Sequence, residues 1–331
     1  MLLICFGTRP EWIKLRPILR ILPRSEYLLY FTGQHTDLLA ELDHEDIDYR
    51  GKIGAESVDR LDNIIRDALL SFPNVPAITK VLVQGDTSSA FACALAAYHR
   101  HLTLFYLEAG LRSHDVGHPF PEEGFRQMIA RLADVNFATT ELAADNLRSE
   151  QVHGKIIVTG NVALDDVVDI PTAYDDICLI TLHRRNNIPI LADWFSQVEQ
   201  LATHHQQIRF ILPLHPNPDA QRHRAILRRV EATSPLPRPE LLAVLARCKC
   251  VITDSGGIQE EAECLNKRVI ICRHATERPE ALANGQSVLC PNPNLLQIFF
   301  NQVLANYRFD GKHIHGDGLA AQRVVGVLMG G

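Results

Sequence analysis

The stretch Cys250-Val251-Ile252-Thr253-Asp254-Ser255-Gly256-Gly257-Ile258-Gln259-Glu260-Glu261 passes from an apolar, β-branched segment through a Gly-Gly turn into a helix-like run. It predicts a buried strand, a tight turn and a helix, the repeating unit of a parallel α/β sheet. Unpaired N–H groups at a helix start, with the positive end of the helix dipole, attract an anion, and glycines let a ligand approach the backbone. A phosphate would sit at this turn, with Glu260 or Glu261 in reach of the neutral hydroxyls of a ribose beside it. Taken alone, the octapeptide from Asp254 fits a plain strand-to-helix turn with a solvated acidic first turn equally well. The rest of the chain separates the two readings.

Outward from that turn, short aliphatic runs recur with helix-like stretches between them, at 2–6, 27–31, 80–84, 103–107, 135–138 and 156–159. A second series occupies 177–182, 208–214, 250–253, 268–272 and 287–290. Strands alternating with helices predict parallel sheets covered on both faces, so the expected fold class is α/β with two Rossmann-like domains facing a central cleft. Residues 161–176, with five aspartates and Pro171, read as the interdomain linker. A chain of 331 residues suits two domains of ordinary size, each with its own core.

Composition narrows the function classes. Hydrophobic content of 46% is that of a globular chain, and no run reaches the roughly 18 apolar residues of a membrane span. Leu2-Leu3-Ile4-Cys5-Phe6 has no basic leader and stops at Gly7-Thr8-Arg9-Pro10, so it reads as a first strand, and a cytoplasmic location is expected. The eight cysteines are scattered through apolar stretches with no Cys-x-x-Cys pair, as reduced core thiols would be. Fifteen histidines, among them His99-x-His101, His204-His205 and His313-x-His315, have no further ligands at zinc-like spacing, and no metal is expected. A net charge of -6 argues against a nucleic-acid partner. There is no Gly-x-Gly-x-x-Gly fingerprint and no Walker-type lysine loop, which disfavours nicotinamide cofactors and ATP hydrolysis; no cofactor is expected.

Polar residues gather just after the apolar runs. Gly7-Thr8-Arg9-Pro10-Glu11, Thr32-Gly33-Gln34-His35, Gln84-Gly85-Asp86-Thr87 and Glu108-Ala109-Gly110 close strands of the first half. His183-Arg184-Arg185, His215-Pro216-Asn217-Pro218, the Asp254 turn and Arg273 to Glu280 close strands of the second. In open α/β sheets the ligand crevice lies beyond the carboxyl ends of the strands, so these clusters predict a site. In the second half, Ser255, Gly256-Gly257, Arg278 and His183 suit a diphosphate. In the first half, Asp86, Glu108 and Glu122 offer carboxylates for acid-base chemistry, although each alone also fits a helix cap or a solvated loop, Asp86 best of the three.

These motifs, in this order and nearly end to end, resemble the non-hydrolysing UDP-N-acetylglucosamine 2-epimerases, which have a glycosyltransferase-B-type fold. The resemblance rests on Gly7 to Glu11 with Lys14, Thr32 to His35, Gly85-Asp86-Thr87, Glu108-Ala109-Gly110-Leu111-Arg112 and Pro121-Glu122-Glu123-Gly124. It continues through Thr159-Gly160-Asn161, His183-Arg184-Arg185, Asp254 to Glu261, Thr276 to Glu280 and Gly316-Asp317-Gly318. It implies that Asp86, Glu108 and Glu122 are the catalytic carboxylates, with His183 beside them in the active site. Arg9, Lys14 and His183 would hold the sugar diphosphate, and Arg112 would belong to the same substrate-binding set. Ser255, Gly256 and Gly257 would bind phosphate, Glu261 the ribose hydroxyls, and Arg278 would support the nucleotide pocket. It further implies a first domain over 1–163, a second over 164–317, a C-terminal helix over 318–331 returning to the first, and a homodimer. Many bacterial relatives bind a second UDP-sugar as activator, and Gln34, His35, Arg184 and His215 match that second site.

The chain departs from the family at three places. The Asp-Pro-x-x-Tyr stretch common in relatives reads Ser234-Pro235-Leu236-Pro237-Arg238, Asn186-Asn187 replaces Glu-Asn, and Asp37 replaces a longer polar residue. The expected reaction inverts C2 of an N-acetylhexosamine, and without NAD the route the family is thought to use is elimination of UDP across C1 and C2, then re-addition. A hydrolysing relative releasing UDP and free N-acetylmannosamine would share every motif. A glycosyltransferase of the same fold would share the diphosphate half but would need an acceptor pocket rather than three acids.

Overall fold

The computed structural model describes residues 1–35, 47–57, 59–311 and 316–330. Asp37 and the His313-x-His315 pair lie outside the described residues. The chain divides into two compact units, Met1–Asp165 with Gly316–Gly331, and Asp166–His315.

The first unit is a parallel sheet of β1 (Leu2–Phe6), β2 (Tyr27–Phe31), β3 (Tyr49–Arg50), β4 (Lys80–Gln84), β5 (Thr103–Ala109), β6 (Val135–Ala138) and β7 (Lys155–Val158), in spatial order 3-2-1-4-5-6-7. Its helices are α1 (Arg9–Ile21), α2 (Arg60–Leu70), α3 (Ser88–His99), α4 (Glu122–Leu132) and α5 (Glu141–Ser149). Successive strand side chains point to opposite faces. Leu3 and Cys5 accordingly join a core with Ala90, Cys93, Ala94 and Ala97 of α3 and Ile129 of α4. Leu2, Ile4 and Phe6 pack on the other face with Trp12, Leu15 and Ile18 of α1. Continuous apolar strands are what a doubly covered parallel sheet requires.

The second unit repeats the plan with β8 (Ile177–Thr181), β9 (Arg209–Pro213), β10 (Glu231–Thr233), β11 (Cys250–Thr253), β12 (Arg268–Ile271) and β13 (Ser287–Leu289), in order 10-9-8-11-12-13. Between them run α6 (Leu191–His204), α7 (Pro218–Arg222), α8 (Arg238–Arg247), α9 (Gly256–Cys264), α10 (Glu280–Ala283) and α11 (Leu296–Ala305). Trp194, Phe195, Phe210 and Phe300 fill its core. All eight cysteines are buried and free, and no helix among the described residues is long and apolar enough to cross a membrane.

In each unit the chain winds outward in one direction and then in the other from a central strand pair, β1 and β4 in the first, β8 and β11 in the second. Loops leaving the carboxyl ends of such a pair diverge, and the gap is where α/β sheets bind ligands. Two strands have no counterpart in the sequence reading, β3 and β10. They are edge strands of two and three residues, without an apolar run, and their identity comes from pairing with β2 and β9.

The stretch expected to be a linker is anchored at both ends. Ala173 and Asp175 donate backbone N–H groups to the carbonyls of Ala246 and Arg247, within the second unit. Asp165 caps the last helix, α12 (Ala320–Leu328), accepting from the N–H groups of Ala320 at 3.1 Å and Ala321 at 2.6 Å. Helix α12 packs Ala320, Ala321, Val324 and Leu328 into the core beside α1. Asp165→Ala is expected to lower stability by about 1–2 kcal/mol, the usual worth of an N-cap, and to raise amide hydrogen exchange over residues 320–328 before any other segment of the first unit.

Candidate active site

In the first unit the site is built on the loops after β1, β4 and β5. Thr8 caps α1, and Glu11 reaches back from the first helical turn to complete a capping box. Glu11 Oε2 accepts from the N–H groups of Gly7 at 2.9 Å and Thr8 at 2.7 Å and from Thr8 Oγ1 at 2.8 Å. Its other oxygen accepts from Thr87 Oγ1 at 2.6 Å, at the start of α3. One buried carboxylate thus joins the loop after β1 to the loop after β4. Burial pushes the Glu11 carboxyl above its ordinary range, against the pull of these hydrogen bonds.

Glu108 sits where the register between β5 and β6 shifts, with a left-handed backbone at φ +66°. That conformation costs a non-glycine residue about 1–3 kcal/mol, and here it aims the side chain at two partners. Lys14 Nζ donates to both carboxylate oxygens, at 2.7 and 2.5 Å, and Gln84 Nε2 donates to Oε2. Asp86 is held by Arg126, whose Nε and Nη2 lie 2.7 and 2.6 Å from Oδ2. The same guanidinium donates to buried Glu123 at 3.1 Å, and Glu123 also accepts from the N–H of Ser113. Glu122 begins α4 four residues before Arg126, hence on the same helical face. Its Oε2 is buried and has no hydrogen-bond partner.

In the second unit Asp254, fully buried, performs the joining role between the loops after β8 and β11. It accepts from the N–H of His183 at 3.1 and 3.0 Å, from the N–H of Arg184 at 2.9 Å and from Asn187 Nδ2 at 2.9 Å. Asn187 also donates to the carbonyl of Cys272, tying in the loop after β12. Beneath this, the hydroxyls of Thr181 and Thr253 share a bond of 2.6 Å. The first turn of α9 carries no acidic residue and no side-chain cap from Ser255, so its leading N–H groups keep their affinity for an anion. Arg278 lies buried against this turn, with Nε 2.6 Å from Glu260 Oε1 and Nη1 donating to Glu277. Glu277 also pairs with Arg273 at 2.8 Å. Burial and the nearby Arg273 lower the Arg184 pKa, with Glu277 opposing. Glu261 faces Arg238, Nη1 to Oε1 2.5 Å.

Each residue expected in the site can now be placed. Asp86, Glu108 and Lys14 lie around the β4 and β5 ends, Glu122 stands at the start of α4 one turn before Arg126, and Arg9 is exposed at the first position of α1. Arg112 is different: its buried fork grips Glu150 at 2.7 and 2.8 Å and the carbonyl of Leu111, which makes it a brace for the loop after β5. Gln34 Oε1 accepts from Ser89 Oγ at 2.7 Å, and the N–H of His35 donates to the carbonyl of Gly7, beside the β1 end. The His183 and His215 rings stack at 5.7 Å, and partial burial lowers the His215 pKa. The sequence reading passed over Arg126, and it named Gln84 and Glu11 only as members of strand-end clusters, without their bridging roles. For Arg126, the i, i+4 spacing from Glu122 was the available signal.

The two glycines of α9 differ. A Cβ on Gly256 would stand 2.6 Å from Arg278 Nη1 and 3.0 Å from Cζ, whereas one on Gly257 meets nothing within 4 Å. Arg278 is pinned by Glu260 and Glu277 and has little room to give. Gly256→Ala is therefore expected to destabilise by about 1–3 kcal/mol through overpacking, and Gly257→Ala by less than about 0.5 kcal/mol, measured by urea unfolding. If a ligand approaches the backbone here, Gly257→Ala lowers its affinity at unchanged stability.

A family model described as UDP-N-acetylglucosamine 2-epimerase matches residues 22–329. The UDP-N-acetylglucosamine 2-epimerase of Salmonella borreze is 34% identical, over 98% of this chain and 96% of its own. The structure of UDP-GlcNAc 2-epimerase from Neisseria meningitidis bound to UDP-GlcNAc matches with a TM-score of 0.87 at 28% identity, covering 100% of both chains. That of the Methanocaldococcus jannaschii enzyme in complex with UDP-GlcNAc and UDP matches with a TM-score of 0.85 at 28% identity, covering 100% of this chain and 99% of that one. A family model that matches residues 22–329, together with a relative 34% identical over 98% of this chain, means that the chain belongs to the UDP-N-acetylglucosamine 2-epimerase family.

Proposed function

We propose that this chain is a non-hydrolysing epimerase that interconverts UDP-GlcNAc and UDP-ManNAc, or a close UDP-N-acetylhexosamine pair, by elimination and re-addition of UDP. The observation that carries the reading is the contrast among the three carboxylates of the first unit. Asp86 and Glu108 are each locked to a cation, Arg126 and Lys14, whereas Glu122 has a buried oxygen without a partner. A carboxylate held by a cation is oriented by it, while a buried oxygen without a partner keeps capacity for a new one. That difference is what a reaction needs when a proton leaves one face of a sugar carbon and another returns to the opposite face.

In the proposed sequence a carboxylate removes the C2 proton as the C1–O bond breaks. The C–H electron pair forms the C1=C2 bond, and the C1–O pair leaves with the β-phosphate oxygen of UDP. The intermediate is 2-acetamidoglucal. The phosphate oxygen then attacks C1 while an acid delivers a proton to the other face of C2. Glu122 is assigned a proton-transfer role, with Asp86 and Glu108 oriented by their cations for the remaining transfer. The N-terminus of α9, Arg278 and His183 are assigned to the diphosphate, whose developing charge they stabilise, and Glu261 to the ribose hydroxyls. Arg9 joins the diphosphate set; Arg112 acts by bracing its loop. Gln34, His35, Arg184 and His215 are proposed to take a second, activating UDP-sugar. The chain is proposed to work as a homodimer in the cytoplasm.

Proton NMR of the anomeric signals after mixing the protein with UDP-GlcNAc, without acceptor, should show UDP-ManNAc accumulating to equilibrium. Free UDP with N-acetylmannosamine would instead mark a hydrolysing enzyme. In D2O, deuterium should enter C2 of both recovered UDP-sugars; C2 left protiated after many turnovers would rule out elimination. Glu122→Gln should reduce kcat on the order of a hundredfold or more, the usual worth of a general acid or base. Near-normal turnover would remove Glu122 from the mechanism.

A further inference from the structure

We infer that Arg238 is a positioning residue for ribose recognition: it holds the Glu261 carboxylate in the orientation that receives the ribose hydroxyls. The inference rests on the nucleotide reading above. Two adjacent acids on α9 stood open as ribose contacts from sequence, and the structure gives them different partners. Consecutive helical residues point about 100° apart. Glu260 accordingly lies against Arg278, 2.6 Å from Nε, while Glu261 turns to Arg238 at the first position of α8, 2.5 Å from Nη1.

The two side chains are unequally covered. Glu261 is 7% exposed and Arg238 is 35% exposed, so the carboxylate is sunk in the unit and the guanidinium forms its rim. A carboxylate has about four lone-pair positions, so accepting from a guanidinium at one oxygen does not exhaust it as an acceptor. Arg238 supplies a positive charge from a neighbouring helix, and its charge-assisted bond to Oε1 orients the carboxylate better than a flexible ammonium would. Arg238 also ends the Ser234-Pro235-Leu236-Pro237-Arg238 stretch, where the resembling family carries an aromatic residue. In this chain that segment presents a cation to the nucleoside end of the site instead.

The test compares dissociation constants for UDP and 2′-deoxy-UDP, by calorimetry, in the wild-type chain, Arg238→Met, Arg238→Lys and Glu261→Ala. A hydroxyl bound to a charged acceptor is worth roughly tenfold or more in affinity, so the wild-type chain should prefer UDP by that factor. Arg238→Met keeps an apolar stem, and it should weaken UDP and shrink the preference to within about threefold, close to Glu261→Ala. Arg238→Lys should keep an intermediate preference. A merely structural role would weaken both nucleotides alike, so a wild-type preference in Arg238→Met, with or without weaker UDP binding, overturns the inference. Failure of the wild-type chain to bind UDP overturns the nucleotide reading itself, and equal wild-type affinity for both nucleotides overturns the Glu261 assignment.

Discussion

In both units a single buried carboxylate crosses the point where the strand order reverses. Glu11 ties the loop after β1 to the start of α3, and Asp254 ties the loop after β11 to the loop after β8. The loops at a reversal diverge by construction, and nothing in the sheet ladders holds their far ends together. A carboxylate can accept several backbone N–H groups at once, and such charge-assisted bonds are about twice as strong as neutral ones. The polar strand-end residues are displayed on these ties. Losing either acid would leave several buried donors unpaired, each of which costs free energy comparable to a lost hydrogen bond.

The same economy of charge runs through the surrounding groups. Arg126 holds Asp86 and Glu123 with one guanidinium, and Glu123 in turn fixes the backbone at Ser113. Glu277 stands between Arg273 and Arg278. Buried ions are retained only when their hydrogen-bonding capacity is met, because their desolvation penalty is large. The exceptions therefore carry information. Among the described residues, the Glu122 oxygen without a hydrogen-bond partner and the uncapped first turn of α9 are two places where such capacity is left.

Much of this was legible in the residues. The long central strands were read almost to the residue because a strand covered on both faces must be apolar throughout, and Gly, Thr, Asp or His at once marks its end. The turn into α9 was legible for the same local reason: the turn, its glycines and its helix start are contiguous. Residues 49–50 and 231–233 were illegible as strands because an edge strand of that length takes its conformation from the neighbour it pairs with.

The sequence by itself determined two parallel α/β units, the strand-end location of the polar clusters, the acidic character of one set and the glycine turn of the other. These follow from local periodicity and side-chain chemistry. Only the tertiary structure decided which acid meets which base. Lys14 reaches Glu108 across 94 residues of chain, and Arg126 reaches Asp86 across 40. Arg112 turns to Glu150, and Glu260 and Glu261 take different arginines, because such pairings depend on helix rotation and loop direction over distances that no local pattern encodes.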